Sequence, residues 1–142
     1  MEDFDKKWEE LVERNNEFLK IFEDDLDKAG LADKTIDKHY GNVRFYLNEF
    51  LPRANLIPME KGMYSVNEYF GYFFIHKCLW STPATIKSTA ASIKKFYKCM
   101  LEHEKITQKN YDDLCACIKE NMEDWQNECE DYNNPNNWYE PF

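Results

Sequence analysis

Apolar residues recur at three- and four-residue spacing along most of the chain, and alternating strand-like runs are hard to find. The pattern predicts five helices. The first spans about residues 3–29, with Phe4, Trp8, Leu11, Val12, Phe18, Leu19, Phe22 and Leu26 on one face. Asn15-Asn16 interrupts it and marks a place for a break into two. Gly30 suits the C′ position that ends it. The second spans about 34–51, with Asp33 as N-cap, Ile36, Tyr40, Val43, Leu47, Phe50 and Leu51 inward, and Pro52 as its stop. Residues 52–64 carry two prolines and a glycine and read as a loop. The third helix opens on Ser65-Val66-Asn67-Glu68, a capping-box pattern, and runs to about Cys78. It is the most apolar and the natural centre of the fold.

The fourth helix covers residues 82–101. Thr82 is placed to cap it, and Pro83 suits its first turn. Ile86, Ala90, Ile93, Tyr97, Met100 and Leu101 form its inward face. At about 100° per residue, Lys87, Lys94 and Lys98 align beside that face, next to the small residues Ser88, Ala91 and Ser92. Thr107 caps the fifth helix, which carries Tyr111, Leu114, Cys115, Ile118, Met122, Trp125 and Cys129. Residues 131–142 read as a polar, aromatic tail. The second and fourth helices share a pattern offset by 50 residues: Ile36 with Ile86, Val43 with Ile93, Leu51 with Leu101. This hints at paired helical hairpins. The fold class is therefore all-α: one compact bundle of four to five helices over residues 1–130, followed by the tail.

Composition supports a packed chain: 43% of its 142 residues are hydrophobic and 16% aromatic, too apolar for disorder. The first residues are acidic and lack the apolar core of a signal peptide. No run has the length of a membrane span. Five cysteines without a C-x-x-C pair read as reduced, mostly buried thiols in a cytoplasmic protein. The net charge of −9 conceals a segregation. Residues 1–33 carry 12 acids and 5 bases, residues 34–109 carry 6 acids and 12 bases, and residues 110–142 carry 9 acids and 1 base. A basic middle between acidic ends allows a local anion-binding surface, and equally allows the ends to fold over it.

Candidate chemistry is sparse. His76-Lys77-Cys78 lacks a partner at zinc spacing, and Cys115-Ala116-Cys117 places its thiols about 200° apart on a helix. No metal or other cofactor is expected. There is no G-x-S-x-G, no P-loop and no glycine-rich nucleotide fingerprint, and no enzyme is expected. Binding remains. Lys34 and Lys38 on the second helix can lie beside Lys87 and Lys94 on the fourth, with hydroxyls from Thr82, Thr85 and Ser88; Arg44 is a further base on the second helix and Lys98 a further one on the fourth. On residue pattern alone, a solvated lysine face is the better account.

Two segments change that weighting. FLKIFEDDLDKAGLADKTIDKHYGNVRFYLNEFL and STPATIKSTAASIKKFYKCMLEHEKIT resemble the N-terminal SAM-like, or core-binding, domain of tyrosine recombinases of the phage-integrase family. The likeness covers about residues 18–106. It rests on G-L-x-x-K-T-I followed by Tyr and an aromatic–Leu ending, and on an S-x-x-x-T-I helix that ends in an aromatic pair. The resemblance implies a bundle seated on duplex DNA, with its second and fourth helices approaching the major groove. That would bring Lys34, Lys38, Thr85, Lys87, Lys94 and Lys95 to the nucleic acid. Nothing after residue 110 offers the family's Arg, His-x-x-Arg and Tyr set, so Tyr97, Tyr111 and Tyr139 are not its nucleophiles. The expected function is non-catalytic binding of duplex DNA. The alternative is a protein-interaction or self-association module acting through the fifth helix and Trp138, Tyr139 and Phe142.

Overall fold

The computed structural model describes residues 2–138 and is all-helical, with 84% of the described residues in helices. Helix α1 is Glu2–Lys28. Helix α2 begins as Asp33–Arg44, widens into a π-helical stretch at Phe45–Phe50, and closes with Leu51–Arg53. A 3-10 turn, Met59–Tyr64, feeds helix α3. That helix comprises Val66–Glu68, a second π-helical stretch at Tyr69–Phe73, and Phe74–Lys77. Helix α4 is Pro83–Glu102, α5 is Gln108–Asn133, and α6 is a single turn, Pro135–Trp138. Residues 131–133 thus extend α5 rather than opening a tail. Tyr139 and Phe142 lie outside the described residues, as does the side chain of Trp138.

Helix ends follow local chemistry in three of the expected places. Gly30 takes φ +80°, the amide of Leu31 bonds the Leu26 carbonyl, and the amide of Gly30 bonds that of Asp27. This is a Schellman close to α1. Thr82 and Thr107 each accept a hydrogen bond from the backbone amide three residues on, and each sits in a reciprocal capping box.

Two expected caps are different. The N-cap of α2 is Ala32, whose carbonyl accepts from the amides of Thr35 and Ile36. Asp33 stands one residue later, in the first turn, where its carboxylate still opposes the helix dipole. Ser65 makes no side-chain cap. The 3-10 turn runs directly into α3: Ser65 N–H bonds the Gly62 carbonyl, and the Ser65 carbonyl accepts from Tyr69 N–H.

Asn15-Asn16 does not break α1, and the reason lies in α2. The π-helical stretch sends the amide of Leu51 to the Tyr46 carbonyl, and Pro52 has no N–H. The Leu47 carbonyl therefore loses both nearby backbone donors. Buried Asn15 replaces them, its Nδ2 donating to Leu47 O at 2.9 Å. Asn48 Nδ2 donates to Asn16 Oδ1 alongside, at 3.0 Å. Pro52 does not stop α2 where expected. The helix carries one further residue, Arg53, and then turns through Asn55 and Leu56, both at positive φ.

The core is aromatic where α2, α3 and α5 meet. Tyr46, Phe50, Tyr69 and Phe73 pack as a cluster with ring centroids 4.7–5.9 Å apart. Phe70 continues it to Trp125 of α5 at 5.0 Å. Phe45 points away from the main stripe and is covered by Phe73 and Trp80. Two buried tyrosines pin the 3-10 turn: Tyr46 donates to Gly62 O at 2.5 Å and Tyr97 to Met59 O at 2.8 Å. A Cβ on Gly62 would stand 2.4 Å from the Tyr97 hydroxyl, so the turn approaches α4 too closely for any side chain there. Helix α5 is fastened to the α3–α4 corner by Trp125 to Asn67, Gln126 to Pro83 O and Asn133 to Ser81 O.

Candidate nucleic-acid interface

Helix α4 buries Ile86, Ala90, Ile93, Phe96, Tyr97 and Met100 and turns a lysine-rich arc outward. Lys87, Lys94, Lys95 and Lys98 are all exposed on it. The sequence places Lys95 about 80–100° round the helix from Lys87 and Lys94. The structure uses that separation, because α4 lies between α2 on one side and α5 on the other.

On the α2 side, the two helices meet through polar groups offset by about 50 residues. His39 Nδ1 pairs with Ser92 Oγ at 2.8 Å, and Asn42 Nδ2 donates to the same hydroxyl at 3.0 Å. His39 is held below the usual imidazole range, first by burial and then by the positive charge of Lys95 and Lys38. Lys38 and Lys95 therefore converge on one seam from different helices. Lys34, one turn before Lys38, is exposed on the same side of α2. Arg44 does not join them. It sits about 120° round the helix from Lys38, on the flank that carries Asp37.

On the α5 side, Lys87, Lys94 and Lys119 rim an open groove of about 440 Å³ floored by Ala90, Ala91, Cys115, Ile118 and Met122. The Lys98 ammonium lies 5.3 Å from the centre of the Tyr111 ring, a cation–π contact. Lys119, the single base of the acidic C-terminal segment, thus joins the basic surface. Its place at i+4 from Cys115, on the flank that faces α4, is the sequence signal for it.

The threonine hydroxyls are committed elsewhere. Thr82 Oγ1 accepts from Thr85 N–H at 3.0 Å, while Thr85 Oγ1 accepts from Thr82 N–H at 2.8 Å. Ser88 and Ser92 donate to carbonyls of the preceding turn. These hydroxyls build the helix rather than presenting free donors.

Among the described residues, the acidic helices α1 and α5 leave the lysines exposed. Glu23, Asp24 and Asp27 of α1 face Asp33 and Asp37 of α2 across a separate cleft, with Lys20 paired to Asp24 at 3.1 Å. Among the described residues, Lys34, Lys38, Lys87, Lys94, Lys95, Lys98 and Lys119 make no ion pair. An acidic chain therefore carries an open cationic strip along α4 and both its seams.

The structure also brings together a group of side chains from distant parts of the sequence: Asp25 of α1 with Cys99 and His103 at the end of α4. The five cysteines are all free thiols, with Cys78, Cys99 and Cys129 buried. Burial pushes the Cys78 thiol up to about 11.

The class defined by this architecture is an all-helical bundle. No helix among the described residues is long and apolar enough to cross a membrane. No family model, curated protein or solved structure matches the chain.

Proposed function

We propose that the chain is a non-catalytic binding domain for duplex DNA, related to the core-binding domain of site-specific recombinases and acting in the cytoplasm. The observation that carries this reading is the strip of exposed, unpaired lysines along α4 and its seams. Phosphate contacts dominate non-specific affinity, and each neutralised phosphate releases counterions. Five to seven unpaired cations on one side of an otherwise acidic protein form such a footprint. The acidic cleft between α1 and α2 then repels the duplex and restricts which side faces it.

Titration of a labelled duplex at low and moderate salt, followed by fluorescence anisotropy, tests the proposal. Binding should weaken steeply with salt. The Lys87→Ala, Lys94→Ala, Lys95→Ala triple variant should lower the log–log salt slope by about 3. Arg44→Ala, off the strip, should change it little. No binding at low salt, or binding indifferent to the triple substitution, would sink the idea.

A second reading has its own observation. Phe4 is 45% exposed, and Trp8, Leu11 and Val12 are only half-buried, so the first half of α1 carries an apolar ridge outside the main core. Leu79 and Trp80 are also exposed. The ridge on α1 favours self-association or a protein partner through α1 rather than through α5. Sizing of Phe4→Ser, Trp8→Ser beside the parent chain discriminates: a monomer in both argues against it.

A further inference from the structure

We infer that Asp25, Cys99 and His103 form a binding site for a divalent zinc ion at the junction of α1 and α4, independent of any nucleic-acid function. Cys99 and His103 are spaced four apart at the end of α4, so their side chains leave the helix on one face. Asp25 approaches from the last turn of α1. The thiol Sγ of Cys99 and the Nε2 of His103 both converge on one oxygen, Asp25 Oδ2, at 3.1 and 2.8 Å. The three ligand atoms lie within 4.8 Å of one another.

Sulfur, imidazole nitrogen and carboxylate oxygen are the donor set zinc takes. Zinc–ligand lengths of about 2.0–2.3 Å in tetrahedral geometry separate neighbouring ligand atoms by roughly 3.3–3.6 Å. Each contact seen here therefore needs to open by about 0.5 Å for an ion to enter.

The surroundings also favour a cation. The C-termini of α1 and α4 meet at this point, and each contributes the negative end of its helix dipole. Glu102 adds negative charge to the site and Lys28 opposes it. Without a metal, the buried Cys99 thiol is a weak donor to a carboxylate, and burial with Asp25 beside it holds its pKa far above the usual range. Zinc reverses that preference. The S–H proton is released to solvent as the Zn–S bond forms, one proton per ion bound. His103 is exposed, so the fourth position opens to water. Bound zinc would clamp the end of α1 to the end of α4.

The test uses the full chain with Zn²⁺ and, as a spectroscopic probe, Co²⁺. Cobalt should bind at one per chain, with a near-ultraviolet thiolate charge-transfer band and the visible bands of a tetrahedral ion. Zinc should displace it. Free Zn²⁺ at about 100 times its Kd should raise the melting temperature by roughly 5–10 °C. Cys99→Ser and His103→Gln should each lose the charge-transfer band or weaken binding about tenfold or more, whereas Cys115→Ser, Cys117→Ser should keep it. Because His103 is exposed, His103→Gln decides the matter even where Cys99→Ser fails to fold. Absence of the band in the parent chain, or its persistence at full strength in either Cys99→Ser or His103→Gln, overturns the site.

Discussion

Helices α2 and α4 present matching apolar faces to one core, yet they hold their shape by different means. Ile36 and Ile86 are both buried, as are Val43 and Ile93 at the same offset, and the helices touch through Asn42 and Ser92. Helix α4 is locally complete. Thr82 and Thr85 cap its start, and its end closes on a Schellman pattern, with Glu104 N–H on Leu101 O and Lys105 N–H on Met100 O. Helix α2 starts on an uncapped Ala32, passes through a π-helical stretch and ends at Arg53, one residue after a proline. It depends on another element to repair what its own sequence leaves open: Asn15 from α1 for the Leu47 carbonyl. Similar periodicity thus specifies which face is buried, not how independent a helix is.

The largest expected effect that tests this contrast is Asn15→Ala. It leaves a buried carbonyl of α2 unpaired and should cost about 1–3 kcal/mol in urea unfolding. Hydrogen exchange should show the loss concentrated in 45–53 rather than spread over α4. Equal loss of protection in both helices would break the comparison. Next comes Thr82→Ala, which removes the cap of α4 and should cost about 1 kcal/mol. Its effect should stay in the first turn of α4, because the rest of that helix supplies its own bonds.

The smallest effect concerns the seam between them. The folded-state pKa of His39 lies below its unfolded value, so the unfolded chain binds the extra proton more readily. Stability should be full above about pH 6.5, the unperturbed imidazole value, and fall as pH drops below it. His39→Gln, measured by thermal melts across that window, should flatten the slope. An unchanged slope would place the pH dependence on another group.

How much of this was legible depends on how local each determinant is. Gly30, Thr82, Pro83 and Thr107 act within a turn of their own position, and each does what its residue type predicts. Asn15-Asn16 reads locally as a helix breaker because such side chains compete with the backbone. Its actual partner is 32 residues away and exists only because of the π-helical stretch and Pro52. The lysines of α4 were legible as one exposed arc. Their division between two seams was not, since it depends on which neighbours flank α4. Thr82 and Thr85 were legible as cap residues, and that role is what removes them as free donors. The Cys99–His103 spacing is readable on any helix wheel, but Asp25 enters only through the packing of α1 on α4.

By itself, then, the sequence determined the all-helical class, the five main helices, their inward faces and the segregation of charge, because periodicity, caps and net charge are local or additive properties of the chain. Only the tertiary structure decided that the acidic helices leave the lysine strip open, that α2 is completed by α1, and that Asp25, Cys99 and His103 meet. Those are relations between surfaces, set by which faces must share one core.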